Sequence, residues 1–325
     1  MTNNFIFKIT ILIFLLSKIS FSQRTENAIY FTDKNSRLVL EIENDLLFNT
    51  DSYYTSGQAI SYTNKKFKKT PSQLILNLIT NKDIDITGFG FQQRIFTPYS
   101  IEHPDLIEDD RPYSAYLLLS NYSVFINSKH KYLLSNEIGI GVMGPIAGGE
   151  QAQTLVHKII GSPAPIGWNN QLNNAFLLDY NFRIEKSFFN GFVAKHFIPY
   201  SEARIGTLTD RVKIGIKIRV GNKNIAMHEL VNKKYNKHKI VWEWIFGANL
   251  QGVFYDATLE GGLFSKKEAV ELPKQDIIEK QYQVRMGINL YYKNFSFRYM
   301  VNYNSKDFTN GLIHKYGSAN FGYSF

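Results

Sequence analysis

The amino-acid sequence predicts an all-β protein, a transmembrane antiparallel β-barrel of about twelve strands with a short helix in one extracellular loop. Three observations predict it. Segments of roughly ten residues alternate apolar and polar side chains, the pattern of a strand set between lipid and a polar lumen. Aromatic residues make up 15% of the chain, with 25 Phe and 20 Tyr against three Trp, more than a soluble core calls for and what two interfacial girdles require. The final strand closes on Phe325, an aromatic end that looks like the targeting signal of outer-membrane barrels.

The compartment follows from the first residues. "MTNNFIFKITILIFLLSKISFSQ" places Lys8 ahead of an apolar run from Ile9 to Leu16, with Ser20 and Ser22 before Gln23. That is the layout of a secretory signal peptide over 1–22, leaving a barrel domain over 23–325. The unbroken apolar run is too short to cross ~30 Å of hydrocarbon as a helix. Removing Lys8 and Lys18 changes the formal charge from 37 − 28 to 35 − 28, or +7. There is no cysteine, so neither a disulfide nor a lipidated N-terminus is available. No later segment reaches 18 apolar residues, so spanning falls to strands.

The clearest alternation is "VKIGIKIRV", with Val212, Ile214, Ile216, Ile218 and Val220 on one face and Lys213, Lys217 and Arg219 on the other. "FLLDYNFRIE" separates Phe176, Leu178, Tyr180, Phe182 and Ile184 from Asp179, Asn181, Arg183 and Glu185. "VWEWIFGANLQ" and the terminal "SANFGYSF" repeat the pattern. The strands are expected near 37–45, 55–64, 86–96, 113–126, 131–143, 173–188, 192–206, 210–221, 241–256, 280–292, 293–304 and 314–325. Their charged faces need a lumen, where Glu41, Glu43, Asp179, Arg183, Lys213 and Arg219 can pair. Two lysine-rich connections, 64–83 and 221–239, exceed ordinary periplasmic turns and have room for short helices.

With the N-terminus in the periplasm, the first, third and fifth connections share the extracellular rim. The first holds "ENDLLFNTDSYYTSG", the third "EHPDLIEDDRPYSAY" and the fifth "GPIAGGEQAQTLVHKIIGSPAPIGWNNQL". In the fifth, "GEQAQTLVHKII" reads as a helix with Leu155 and Ile159 on one face, stopped by Gly161, and it carries His157. Histidine is the usual general base near neutral pH. Asn44, Asp45 and Asp51 offer the hard oxygens that Ca²⁺ takes. A cation can polarise an ester carbonyl while histidine activates water. No G-x-S-x-G element is present. A loop histidine can also be merely polar, and an Asx-rich hairpin merely a turn.

These three elements, in this order, resemble the outer-membrane lipid A 3′-O-deacylase family, and the resemblance extends over essentially the whole mature chain. It implies a twelve-stranded barrel whose site lies between the wall and an extracellular loop helix, with Ca²⁺-dependent hydrolysis of an acyl ester. Carried over, His157 is the base, Asn44 and Asp45 shape the cation site, and Thr55 positions substrate or the oxyanion. Asp110 and Arg111 match the family's Asp-Arg pair, with supporting or substrate-phosphate roles; apart from the resemblance, Arg111, Lys158 and the +7 charge are available to meet substrate phosphates. The chain departs from the pattern twice. A Lys-Arg pair found in some members is absent from "TPYSIEHPDLIEDD", and Pro163 replaces an acidic residue six positions after His157.

The expected partners are lipid A or lipopolysaccharide as substrate and the surrounding outer-membrane lipids. The barrel is expected to act as a monomer, without nucleic acid. Two other readings fit the same residues: a non-catalytic channel or binding barrel, and a phospholipase acting on glycerophospholipids.

Overall fold

The computed structural model describes residues 35–325 apart from 46, 47, 49, 51, 81–85, 128, 191–194, 223–239 and 267–269. Its strands are β1 Ser36–Asn44, β2 Tyr53–Asn64, β3 Ile86–Thr97, β4 Ser114–Asn127, β5 Tyr132–Met143, β6 Ala175–Lys186, β7 Phe188–Asn190, β8 Lys195–Gly206, β9 Thr209–Gly221, β10 Val241–Asp256, β11 Lys280–Tyr292, β12 Phe295–Asn304 and β13 His314–Ser324. Twelve are long, and β7 is a three-residue addition beside β8. Neighbours pair antiparallel around a closed ring. The first and last strands meet with Leu40 opposite Phe321, and β6 meets β8 with Phe182 opposite Ala203. The expected strand at 173–188 ends earlier, at Lys186, because Ser187 donates its N–H to the Lys131 carbonyl at 2.8 Å and leaves the ladder.

The alternation divides lipid from lumen as the sequence implies. Phe176, Ile214 and Leu250 are about 57–62% exposed on the outer face, whereas Arg183 and Glu185 are 1% and 2% exposed inside. A buried lumen charge needs a partner, since an isolated one has no water to replace. Arg183 reaches Glu185 at 2.7 Å and Glu202 at 3.1 Å, Lys217 reaches Glu185 at 3.0 Å, and Arg204 reaches Asp179 at 3.1 Å. Arg219 pairs with Glu243 at 2.5 Å, and Arg94 with Glu41 and Glu43. These paired side chains fill the lumen with a cross-linked polar core.

The rim where β1 starts and β13 ends is the one expected to face the periplasm, and aromatic side chains mark it. Tyr62 lies 5.8 Å from Phe67, Phe67 lies 5.3 Å from Phe89, and Phe295 lies 4.8 Å from Tyr323. The connection at 64–83 does hold a helix, α1 Pro71–Thr80. Most of the connection at 221–239 lies outside the described residues. At the opposite rim the fifth connection holds a second helix, α2 Gly149–Ile160.

Candidate active site

The Asx-rich connection turns on Asp45, the first residue past β1. Its Oδ2 accepts the N–H of Ser52 at 3.0 Å and its carbonyl accepts that of Phe48 at 2.8 Å, so a carboxylate only 1% exposed closes the loop on itself. This is the local bonding that makes Asp a turn residue. Asn44 ends β1 opposite Ser56 and donates through Nδ2 to the Thr55 carbonyl at 3.0 Å.

Thr55 is the extra residue of a β-bulge. Tyr54 pairs with Phe96 and Ser56 with Ile95, leaving Thr55 outside the β2–β3 register. Bulges re-aim side chains, often beside functional sites. Here the Thr55 hydroxyl meets the Thr97 hydroxyl at 2.6 Å, and both residues are buried. Asp51 lies outside the described residues.

The loop helix lies against the outside of the same wall. Ile95 and Ala115 are paired across β3 and β4 and share the outer face with Leu117 and the lipid-exposed Leu119. A Cβ on Gly149 would come within 2.4 Å of the Ala115 Cβ and 2.6 Å of the Trp168 ring, so only glycine lets the helix approach this closely. Gln93 donates to the Ala147 carbonyl at 2.6 Å, and Trp168 donates through Nε1 to the Gln153 side chain at 2.8 Å. Trp168 also packs with Ile95, Ile101, Tyr113, Ala115 and Ala147.

The buried face of α2 is therefore Gly149, Gln153 and His157, spaced one turn apart, while Leu155 and Ile159 are 59% and 50% exposed. The apolar side turns away from the wall, the arrangement suited to lipid.

The stop of the helix orients His157. Gly161 takes φ +76°, and both its N–H and that of Ser162 return to the His157 carbonyl, at 2.8 and 3.0 Å. The reversal brings the Pro163 carbonyl to 2.5 Å from His157 Nδ1. A carbonyl can only accept, so Nδ1 carries the proton and Nε2 is the acceptor nitrogen. The position that lacks an acidic side chain still supplies an oxygen, from the backbone.

Asp110 and Arg111 lie elsewhere. Asp110 Oδ2 accepts the Tyr99 N–H at 2.7 Å, and burial raises its carboxyl above the usual range despite that bond. Arg111 turns to the lumen side, donating to Asp307 at 3.1 Å and Thr258 at 2.6 Å, with its guanidinium 4.4 Å over the Phe96 ring. It helps line a polar cavity of about 160 Å³ at the barrel mouth, across the wall from α2. Lys158 is exposed on α2, beside His157 in sequence but off its buried face.

One outer strip of β3 links the two halves. Gln93 and Ile95 hold the start of α2, and Thr97, two residues on, holds Thr55. Among the described residues no three His, Asp or Glu side chains converge on one point. The donors at the Asx corner are the Asn44 amide, the Asp45 carboxylate and nearby backbone carbonyls, an all-oxygen set that fits a hard cation such as Ca²⁺.

The model of the family described as outer membrane protein LpxR matches residues 9–325. The chain belongs to the LpxR family. The solved structure of LpxR from Salmonella typhimurium is 21% identical and superposes with a TM-score of 0.71, over 89% of this chain and 100% of that one. The LpxR-like fold is thus a closed antiparallel barrel, and the protein is a bacterial outer-membrane protein.

Fainter likenesses carry no argument. The β domain of the Bordetella autotransporter BrkA is 9% identical with a TM-score of 0.43, over 89% and 98% of the two chains. The KdgM porin in complex with disordered oligogalacturonate is 7% identical with a TM-score of 0.36, over 89% and 99%. No curated protein matches the chain.

Gln153, Trp168, Gly149 and Thr97 escaped the sequence reading. The first and third were legible as Gly149, Gln153 and His157 at four-residue spacing. Trp168 and Thr97 belong to the site only through tertiary contact.

Proposed function

We propose that the protein is an outer-membrane lipid A deacylase that hydrolyses the ester-linked acyl group at the 3′ position, with His157 as general base. Membership of the LpxR family supports the substrate class. The observation that carries the chemistry is the 2.5 Å bond from His157 Nδ1 to the Pro163 carbonyl. It fixes the tautomer in which Nε2 accepts a proton, the role an orienting carboxylate fills in other histidine bases.

His157 Nε2 takes a proton from water as the water oxygen attacks the ester carbonyl. The bond between the acyl carbon and the sugar oxygen then breaks. The imidazolium returns its proton to that oxygen, leaving a sugar hydroxyl and a free fatty or acyloxyacyl acid. Thr55, turned by its bulge onto the Thr97 hydroxyl, positions the substrate or its developing oxyanion. Asn44 and Asp45 would hold Ca²⁺, which supplies charge stabilisation for the oxyanion when bound. Asp110 and Arg111 serve as supports, the first closing its own loop and the second tying that loop to Asp307 and Thr258. The exposed Lys158 is the cation placed to meet a substrate phosphate.

The test is mass spectrometry of lipid A incubated with detergent-purified protein, in Ca²⁺ or in EDTA, with a His157→Ala control. Loss of the 3′ acyl mass only in wild type and only with Ca²⁺ supports the reading. Turnover by His157→Ala removes the assigned base, and turnover in EDTA removes the cation. An unchanged spectrum from a folded barrel directs attention to glycerophospholipid substrates.

A further inference from the structure

We infer that α1, with the lysine-rich chain ahead of it, is a docking surface for the anionic glycerophospholipid headgroups of the inner leaflet at the periplasmic rim. The helix binds the barrel through its polar side. Ser72 donates its N–H to Asn121 Oδ1 at 2.9 Å, its hydroxyl meets that of Ser123 at 2.8 Å, and Asn136 donates to its carbonyl at 3.0 Å. Leu76 is fully buried against Phe125 and Leu134. These strand residues lie on the outer face, since Asn121 pairs with the lipid-facing Phe89 and the register continues through Ser123 opposite Thr87 and Phe125 opposite Leu134.

The opposite side of α1 is the apolar one. Leu74, Leu78 and Ile79 are 53%, 83% and 55% exposed. A helix in water buries its apolar stripe, and this one presents it outward, level with the aromatic row at Tyr62, Phe67 and Phe89. The exposed face thus continues the lipid-facing belt of the barrel.

Immediately before the helix, Lys66, Lys68 and Lys69 are exposed and project from the chain around Phe67. Cations beside an apolar, outward-facing helix are the signature of a segment lying in a charged membrane interface. Apolar contact would hold the helix at the acyl boundary, and the lysines would select phosphate-bearing headgroups of net negative charge.

The absence of cysteine from the chain makes the test clean. Leu78→Cys and Lys129→Cys, the latter on the exposed β4–β5 turn at the same rim, each take one environment-sensitive fluorophore. Full-length protein is refolded into single-barrel nanodiscs of phosphatidylcholine, with or without phosphatidylglycerol, and folding is checked by heat-modifiable gel mobility. The probe at 78 should be quenched by nitroxide-bearing lipid and shielded from iodide, with the reverse at 129.

Phosphatidylglycerol should increase the shielding. Reversing Lys66, Lys68 and Lys69 to Glu should abolish that dependence, lowering phosphatidylglycerol preference by roughly fivefold per lysine. Iodide access at 78 equal to that at 129 would overturn the inference by placing the helix in water. Shielding from both quenchers would overturn it by showing a protein cover, either a second copy or another chain. Shielding indifferent to phosphatidylglycerol would overturn the choice of anionic headgroups.

Discussion

The two helices of this barrel lean on the same wall from opposite rims, and both bury polar side chains against it, α1 with Leu76 among them. Each shows aliphatic side chains outward: Leu74, Leu78 and Ile79 on α1, Leu155 and Ile159 on α2. They differ in how the buried side is used. In α1 the polar contacts are ties to the wall, three of them made by Ser72 alone. In α2 the wall contacts are concentrated at the N-terminal turn, through Gly149, the Ala147 carbonyl and the Trp168–Gln153 pair. His157 sits a turn beyond them and is oriented by its own helix stop. The polar side that fastens one helix holds an imidazole on the other.

Removing His157 separates the helices most sharply. His157→Ala is expected to lower turnover about 10²–10⁴-fold, the range for loss of a general base, with gel mobility of the folded barrel unchanged. Ser72→Ala on α1, measured alongside, should leave turnover within a few-fold of wild type.

Gly149→Val comes next. Its side chain cannot fit between Ala115 and Trp168, so α2 must lift from β4. Displacement of about 1 Å costs up to ~10²-fold in rate, which single-turnover measurement would read, while thermal unfolding of the barrel stays near wild type. An unaltered rate would show that the helix contact does not position the base.

Gly161→Ala puts a Cβ at φ +76°, a strain of about 1–2 kcal/mol that the helix relieves by unwinding its stop. The Pro163 carbonyl then leaves His157. Activity should fall several-fold, and addition of Ca²⁺ should not restore it.

Asn121→Ala tests the other helix. It removes the acceptor for the Ser72 N–H and should destabilise α1 by about 1–3 kcal/mol, visible as faster amide exchange over 71–80, with turnover unchanged. Asp110→Asn, in neither helix, gives the smallest change. Burial already disfavours its charge, and an amide oxygen still accepts the Tyr99 N–H, so stability should shift by less than about 1 kcal/mol.

Much of the barrel was legible because lipid and lumen impose a period of two on every strand. The expected strand at 241–256 matches β10 residue for residue, and that at 280–292 matches β11. The lumen charges were half legible. Arg183 and Glu41 were recognised, but Arg94, Glu202 and Glu243 became their partners or neighbours only through strand register. Of the candidate site, the helix that carries His157 and its end at Gly161 were legible. It was not legible that Arg111 faces the lumen, because a residue in an irregular loop has no parity to assign its side.

Composition, parity and helix stops are local properties, and the sequence by itself determined what depends on them: export, a closed barrel of twelve long strands, and the two rims. The tertiary structure alone decided which side of each helix meets the wall. Amphipathicity shows that a helix has two faces, but the side that is buried depends on what surrounds the protein. In both helices polar Ser72, Gln153 and His157 turn toward the wall while Leu78 and Leu155 turn out. Orientation of His157 was likewise a tertiary matter. A proline has no side-chain acceptor, and only the folded turn after Gly161 brings its carbonyl to the imidazole.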